Sequence, residues 1–129
     1  MEKGLQGLTI LVGLLLLLGG MALVFSPVAM EPIFSVTAVQ GHGMGTIRGD
    51  LGGAFLALSV FTLYGSRPEN AKWLAVPVIF LCAILFGRVV HIVLDGITND
   101  AIRSVVIEVI GVVLLEGARR KLPNVSKGQ

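Results

Sequence analysis

A chain of 129 residues with 54% apolar and 14% charged side chains has the composition of a membrane protein rather than a soluble domain, and it is long enough for one compact unit only. Its formal net charge of +2 is small and its basic residues are not gathered on a polar face, which argues against nucleic acid as a partner. The single cysteine, Cys82, lies in an apolar run, so an intramolecular disulfide and a Cys-x-x-Cys redox pair are both excluded; it reads as a small apolar filler.

Four stretches have the length of roughly 20 residues that an apolar helix needs to cross a bilayer. Residues 5–25 carry no charge, exceed the apolar run of a secretory signal and lack a small-x-small cleavage site, so they predict a retained transmembrane helix ended by Ser26-Pro27. The second span, residues 47–65, is followed by the turn-like Ser66-Arg67-Pro68-Glu69-Asn70. The third, residues 73–94, holds Pro77 in its first turns, where a missing N–H does least harm, and is closed by Asp95-Gly96. The fourth, residues 98–117, runs into Arg119-Arg120-Lys121. The expected fold is all-α, an integral membrane bundle of four transmembrane helices occupying residues 1–129 as one domain.

Residues 26–46 form the outer loop of this scheme. Their Gly41-His42-Gly43-Met44-Gly45 run reads as a flexible connection, with a lid or short interfacial segment as the alternative. A phosphate-cradling loop is not expected, because the G-x-x-x-x-G-K-[ST] spacing is absent.

Basic residues set the orientation. With an even number of spans both termini share one side with the connection between spans two and three. That side carries Lys3, Arg67, Lys72, Arg119, Arg120, Lys121 and Lys127, whereas only Arg48 and Arg103 lie near the opposite loops, beside Glu31, Asp50, Asp95 and Asp100. Both termini are therefore expected in the cytoplasm. Trp73, at the cytoplasmic start of span three, fits the aromatic belt.

In span two, Gly49, Gly53 and Ala57 recur every fourth residue, the small-xxx-small pattern that lets another helix approach closely. Asp50 and Tyr64 share roughly this face, so the acid is expected on the packed side. In span three, Arg88, His91 and Asp95 form one polar stripe at the outer end, while Phe86, Val90 and Val93 point toward lipid. Glu108 lies ~15 Å along span four, near mid-membrane, on a face shared with Ala101, Ser104, Gly111 and Leu115. Hydrocarbon tolerates such groups when they pair, snorkel or face an interior. The expected constellation is an Arg88–Glu108 contact with Asp50, His91 and Asp95 nearer the outer surface and Arg48 capping the cluster from the interface. Two roles fit it: a buried ion pair that fixes helix register, or a site for a lipid headgroup or another amphipathic ligand. With only His42 and His91 present, no metal centre is expected, and no cofactor is implied.

The motifs Arg48-Gly49-x-x-Gly52-Gly53-x-Phe55-Leu56, Gly87-Arg88, Asp95-Gly96 and Glu108 resemble those of a family of small bacterial four-helix membrane proteins catalogued as a domain of unknown function. The likeness covers about two thirds of the chain; the asparagine expected before the arginine is absent, its place taken by the Gly43-Met44-Gly45 region. The resemblance implies a bacterial inner-membrane protein and carries no activity. Other four-span classes fit less well. Small multidrug exporters need a carboxylate in their first span, quinone-linked disulfide enzymes need cysteine pairs, and glutathione-handling four-helix enzymes carry a Glu-Arg-x-x-x-Asn type motif that is missing here.

The functional expectation is a non-enzymatic membrane protein, an accessory subunit or helix-packing protein, that associates with other membrane subunits or with copies of itself. Its outer-half polar pocket, formed by Arg48, Asp50, Arg88, His91, Asp95 and Glu108, would bind a membrane lipid or amphipathic molecule. The alternatives are a small enzyme acting on a lipid or isoprenoid, with Glu108 or Asp95 as acid/base, and a proton-coupled transporter, which the absence of an inverted repeat does not encourage.

Overall fold

The computed structural model describes residues 2–124; Lys127, one of the orientation-setting cations, lies outside them. Among the described residues the chain is helical, without strands. There are five helices: α1 (Glu2–Phe25), α2 (Pro27–Phe34), α3 (Gln40–Gly65), α4 (Ala75–Asp95) and α5 (Asn99–Lys121). A 3-10 segment, Pro68–Leu74, leads into α4.

Among the described residues three stretches are long and apolar enough to cross a membrane: Lys3–Phe25, Gln40–Gly65 and Pro68–Asp95. The expectation of four such spans is met by three on composition. Helix α5 has the length, but Asp100, Arg103, Glu108, Glu116 and the basic last turn give it too much charge to qualify in the same way.

The 26–46 segment is not a plain loop. Pro27 opens α2, where its fixed φ suits the first helical turn, and Ser35 closes it in the left-handed region at φ 53°. The Glu31 carboxylate then accepts a hydrogen bond from the Ala38 N–H at 3.0 Å, which folds the linker back on α2. Phe34 meets Phe55 edge-on, with ring centroids 5.3 Å apart, and so seats α2 on α3. The glycine-rich run, expected to be flexible, is the first part of α3, which starts at Gln40 instead of residue 47. Glycine is costly in a helix, but here it meets a steric demand, since a Cβ on Gly43 would lie 3.2 Å from the Ala38 carbonyl carbon.

Within α3, Ile47–Gly52 makes a π-helical turn. It widens the helix by one residue, so Ile47 and Gly52, five apart, are both buried. Below it, Leu58, Ser59, Thr62, Gly65 and Ser66 continue the buried face. Helices α1 and α3 pack antiparallel along this face. A Cβ on Gly13 would sit 2.6 Å from Leu63 Cδ2, one on Gly20 would sit 2.8 Å from Leu56 Cδ2, and one on Gly52 would sit 2.8 Å from Val24 Cγ2. These glycines are the holes into which the branched side chains fit.

The stripe read from the sequence is therefore corrected. Among the described residues Gly49, Gly53 and Ala57 pack no other helix: all three are exposed, and nothing lies within 4 Å of a Cβ built on either glycine. The close approach is made at Gly52, because the π turn rephases the helix and because the run from Gly49 to Gly53 offers more than one small-residue stripe.

Helices α4 and α5 form a second antiparallel pair. Gly96, at φ 98° and ψ 170°, ends α4 in a conformation open to glycine and strained for other residues. Thr98 then caps α5, its hydroxyl accepting from the Ala101 N–H at 3.1 Å. At the other end of α5, Arg119 donates two hydrogen bonds to Glu116 at 2.6 and 2.7 Å, and Arg120 adds one at 2.5 Å. This end, called the basic end below, holds the buried cluster that joins the two pairs: Ala71, Leu74, Leu115, Ala118 and Leu122, with Leu5, Val12 and Val78 against it. Toward the α4–α5 turn, Val89, Val93, Leu94, Ile97 and Ile102 are exposed. The pairs are thus packed together at one end and open at the other.

Candidate functional site

Arg88 is three residues past the middle of α4 and Glu108 is near the middle of α5, so an antiparallel hairpin turning at Gly96 brings them level. Arg88 Nε donates to Glu108 Oε1 at 3.3 Å, the contact that the spacing predicts. The pair is lopsided in exposure. The Arg88 side chain is 40% exposed and that of Glu108 only 13%. Ala101 and Leu115, on the Glu108 face, are buried, which fits the inward face read from the sequence. Glu108 Oε2 is also buried and has no hydrogen-bond partner among the described residues. One oxygen of the carboxylate is thus satisfied by a charge-assisted bond, while the other is held out of solvent with its acceptor capacity unused.

One turn farther along α4, His91 Nδ1 lies 2.8 Å from Asp95 Oδ2. Their i, i+4 spacing places both on the helix surface, and both are exposed. The carboxylate fixes the imidazole orientation and leaves Nε2 without a part in this contact. Phe86, Val90 and Val93 are exposed, on the side expected to face lipid. On α5, Asp100 and Arg103 make a separate exposed pair at 3.6 Å.

Arg48 and Asp50 do not join this group. Both lie in the π turn of α3, and the Arg48 guanidinium donates to the Val24 carbonyl at the end of α1. It thereby satisfies one of the carbonyls that a helix C-terminus leaves unpaired. Asp50 is exposed, on the outer rather than the packed face of α3. Among the described residues no hydrogen bond or ion pair links Arg48 or Asp50 to Arg88, His91, Asp95 or Glu108. The expected single cluster is two sites, one on each helical pair. Depth along a helix is readable from residue number, whereas the azimuth of one pair relative to the other is not.

Sequence reasoning passed over three features. Glu116 is bridged by Arg119 and Arg120, a network visible in their i+3 and i+4 spacing. Gly13 and Gly20, seven residues apart in α1, are packing holes that the heptad spacing signals. The Thr62 hydroxyl is buried without a partner among the described residues, although Thr9, Ser59 and Ser66 each donate to a carbonyl three or four residues back. No local signal distinguishes Thr62 from those three. Among the described residues no group of three or more His, Cys, Asp or Glu side chains is placed to hold a metal ion.

Set against known protein families, curated proteins and solved structures, the chain matches none.

Proposed function

We propose that this chain is a four-span protein of the bacterial inner membrane, with both termini cytoplasmic, that acts without catalysis by binding a lipid or other amphipathic molecule at Arg88 and Glu108. The carrying observation is the half-satisfied carboxylate. An ion pair whose only task is to hold two helices gains most when every lone pair and proton is matched, and Glu108 Oε2 is not. A ligand presenting a hydroxyl or amine donor to this oxygen and an oxygen acceptor to the exposed part of Arg88 would complete the site. Reading α5 as the fourth span is supported by where its charges lie. Asp100 and Arg103 are at one end, Glu116 and the basic turn are at the other, and Glu108, the charge between them, is paired with α4. The open Gly49, Gly53 and Ala57 stripe supports association with a second copy or another membrane subunit.

Native mass spectrometry of the protein extracted gently from its membrane tests the binding reading. The wild-type protein is expected to retain lipid or amphiphile adducts that Arg88→Ala and Glu108→Ala lose. Equal adducts in all three proteins would remove the site.

The exposed His91–Asp95 pair favours a second reading, a small enzyme acting on a lipid or isoprenoid headgroup, with an oriented imidazole beside the Arg88–Glu108 pair. Turnover of an added lipid that disappears in Glu108→Gln, with the fold retained, would support this reading over the first.

A further inference from the structure

The segment joining α3 to α4 has a sidedness that the proposed outer site does not use. Along Pro68–Leu74, Ala71 and Leu74 are 1% and 0% exposed, in the buried cluster, which turns Lys72 and Trp73 outward. The indole is not loose. Its ring centroid lies 5.9 Å from that of Phe61 and 6.4 Å from that of Tyr64, so two aromatic rings of α3 hold it against the bundle. The Lys72 ammonium lies 5.9 Å from the centre of the same indole. Lys72, Trp73, Ala75 and Val76 together line an open surface depression of about 330 Å³ at the start of α4. Among the described residues Lys72 has no ion pair, whereas Arg119 and Arg120 of the same end are paired with Glu116.

Along the chain the depression is lined by the Lys72 ammonium, the Trp73 indole and then Ala75 and Val76, which present a cation, an amphipathic ring and hydrocarbon in turn. A glycerophospholipid presents the complementary series of phosphate, glycerol ester and acyl chain. Free phosphate would match only the first of the three. We infer that this depression is a binding site for an anionic phospholipid of the leaflet facing the basic end, its phosphate on Lys72 and its upper acyl chain along Val76. The inference rests on the membrane-spanning placement proposed above and is independent of the Arg88–Glu108 pocket.

The chain has one tryptophan, so its fluorescence reports this depression alone. The full-length protein is reconstituted into phosphatidylcholine vesicles containing a minor fraction of phosphatidylglycerol, with bromine on the acyl chains of one lipid or the other at matched mole fraction. Brominated phosphatidylglycerol is expected to quench Trp73 as though enriched roughly five-fold at the site, the local excess that one lysine at a membrane surface confers. Lys72→Gln should quench equally with both lipids, and Lys72→Arg should keep the preference; emission maxima matching the wild type establish that the aromatic packing is intact. Equal quenching by both lipids in the wild-type protein, or an undiminished preference in Lys72→Gln, overturns the anionic site and leaves the membrane placement standing. No quenching by either lipid overturns both.

Discussion

Along the α1–α3 contact, Gly13, Gly20 and Gly52 each receive a Leu or Val side chain at a distance that a Cβ would not allow. Along α4–α5 the comparable glycine, Gly111, would place a Cβ 3.2 Å from Leu81 Cδ1, and the contact is marked instead by the ion pair of Arg88 and Glu108. The first pair is selected by shape and the second by charge. Shape works well between helices in lipid because close backbone approach gains dispersion contacts without desolvating anything. Charge gains specificity of register but carries a desolvation cost, and that cost is recovered only if the groups are fully matched. The pair that is incompletely matched is also the one with the exposed outer half, which is why the binding proposal falls there and not on α1–α3.

Three sets of substitutions test this contrast, and the first should have the largest effect. Gly20→Leu puts a branched side chain where even a Cβ would lie 3.0 Å from the Leu56 backbone nitrogen, so no rotamer change relieves it. It should lower unfolding free energy by roughly 3 kcal/mol, measured as loss of helicity with temperature in mild detergent. Wild-type stability would mean that shape does not hold this pair.

An intermediate effect is expected at the ion pair. Arg88→Leu leaves Glu108 buried and unpaired, at a cost of about 2 kcal/mol at neutral pH, below that of a fully buried pair because Arg88 is 40% exposed. The double variant Arg88→Leu/Glu108→Leu should recover most of the loss. A thermal double-mutant cycle with no coupling energy would show that the pair does not join the helices.

The smallest effect on the monomer is expected at Gly49→Leu and Gly53→Leu. Both side chains would enter open space, so stability should stay within about 0.5 kcal/mol of wild type. Cross-linking in membranes should meanwhile show loss of the oligomer if this stripe seats a second copy. A large loss of monomer stability would contradict the assignment of the packing face to Gly52.

Much of this architecture was readable from residue type and spacing. Ser26-Pro27 and Asp95-Gly96 stand at real helix ends, since proline lacks the N–H and Gly96 accepts a φ that strains other residues. The Arg88–Glu108 contact follows from counting outward from the α4–α5 turn on both sides. Two things were not readable in this way. Helicity at Gly41, Gly43 and Gly45 runs against intrinsic propensity, and of the three only Gly43 meets a neighbour, Ala38, that requires the missing Cβ. The separation of Arg48 and Asp50 from the α4–α5 charges depends on how the two pairs splay away from the buried cluster at the basic end, a long-range property that no local window contains.

The wide turn at Ile47–Gly52 acts as a built-in slack of one residue. Deleting one residue there would let the helix close to ordinary α pitch and keep everything from Gly53 onward in place. The segment before it would keep its azimuth as well, because the turn already absorbs the residue that is removed. The same deletion in the α-helical part of α3 would instead turn one side of the helix by about 100° and take Arg48 off the Val24 carbonyl or Leu56 out of the Gly20 hole. Helix α3 is in this sense two helices joined by a turn that can take up one residue, and that joint carries both charged residues of α3, Arg48 and Asp50.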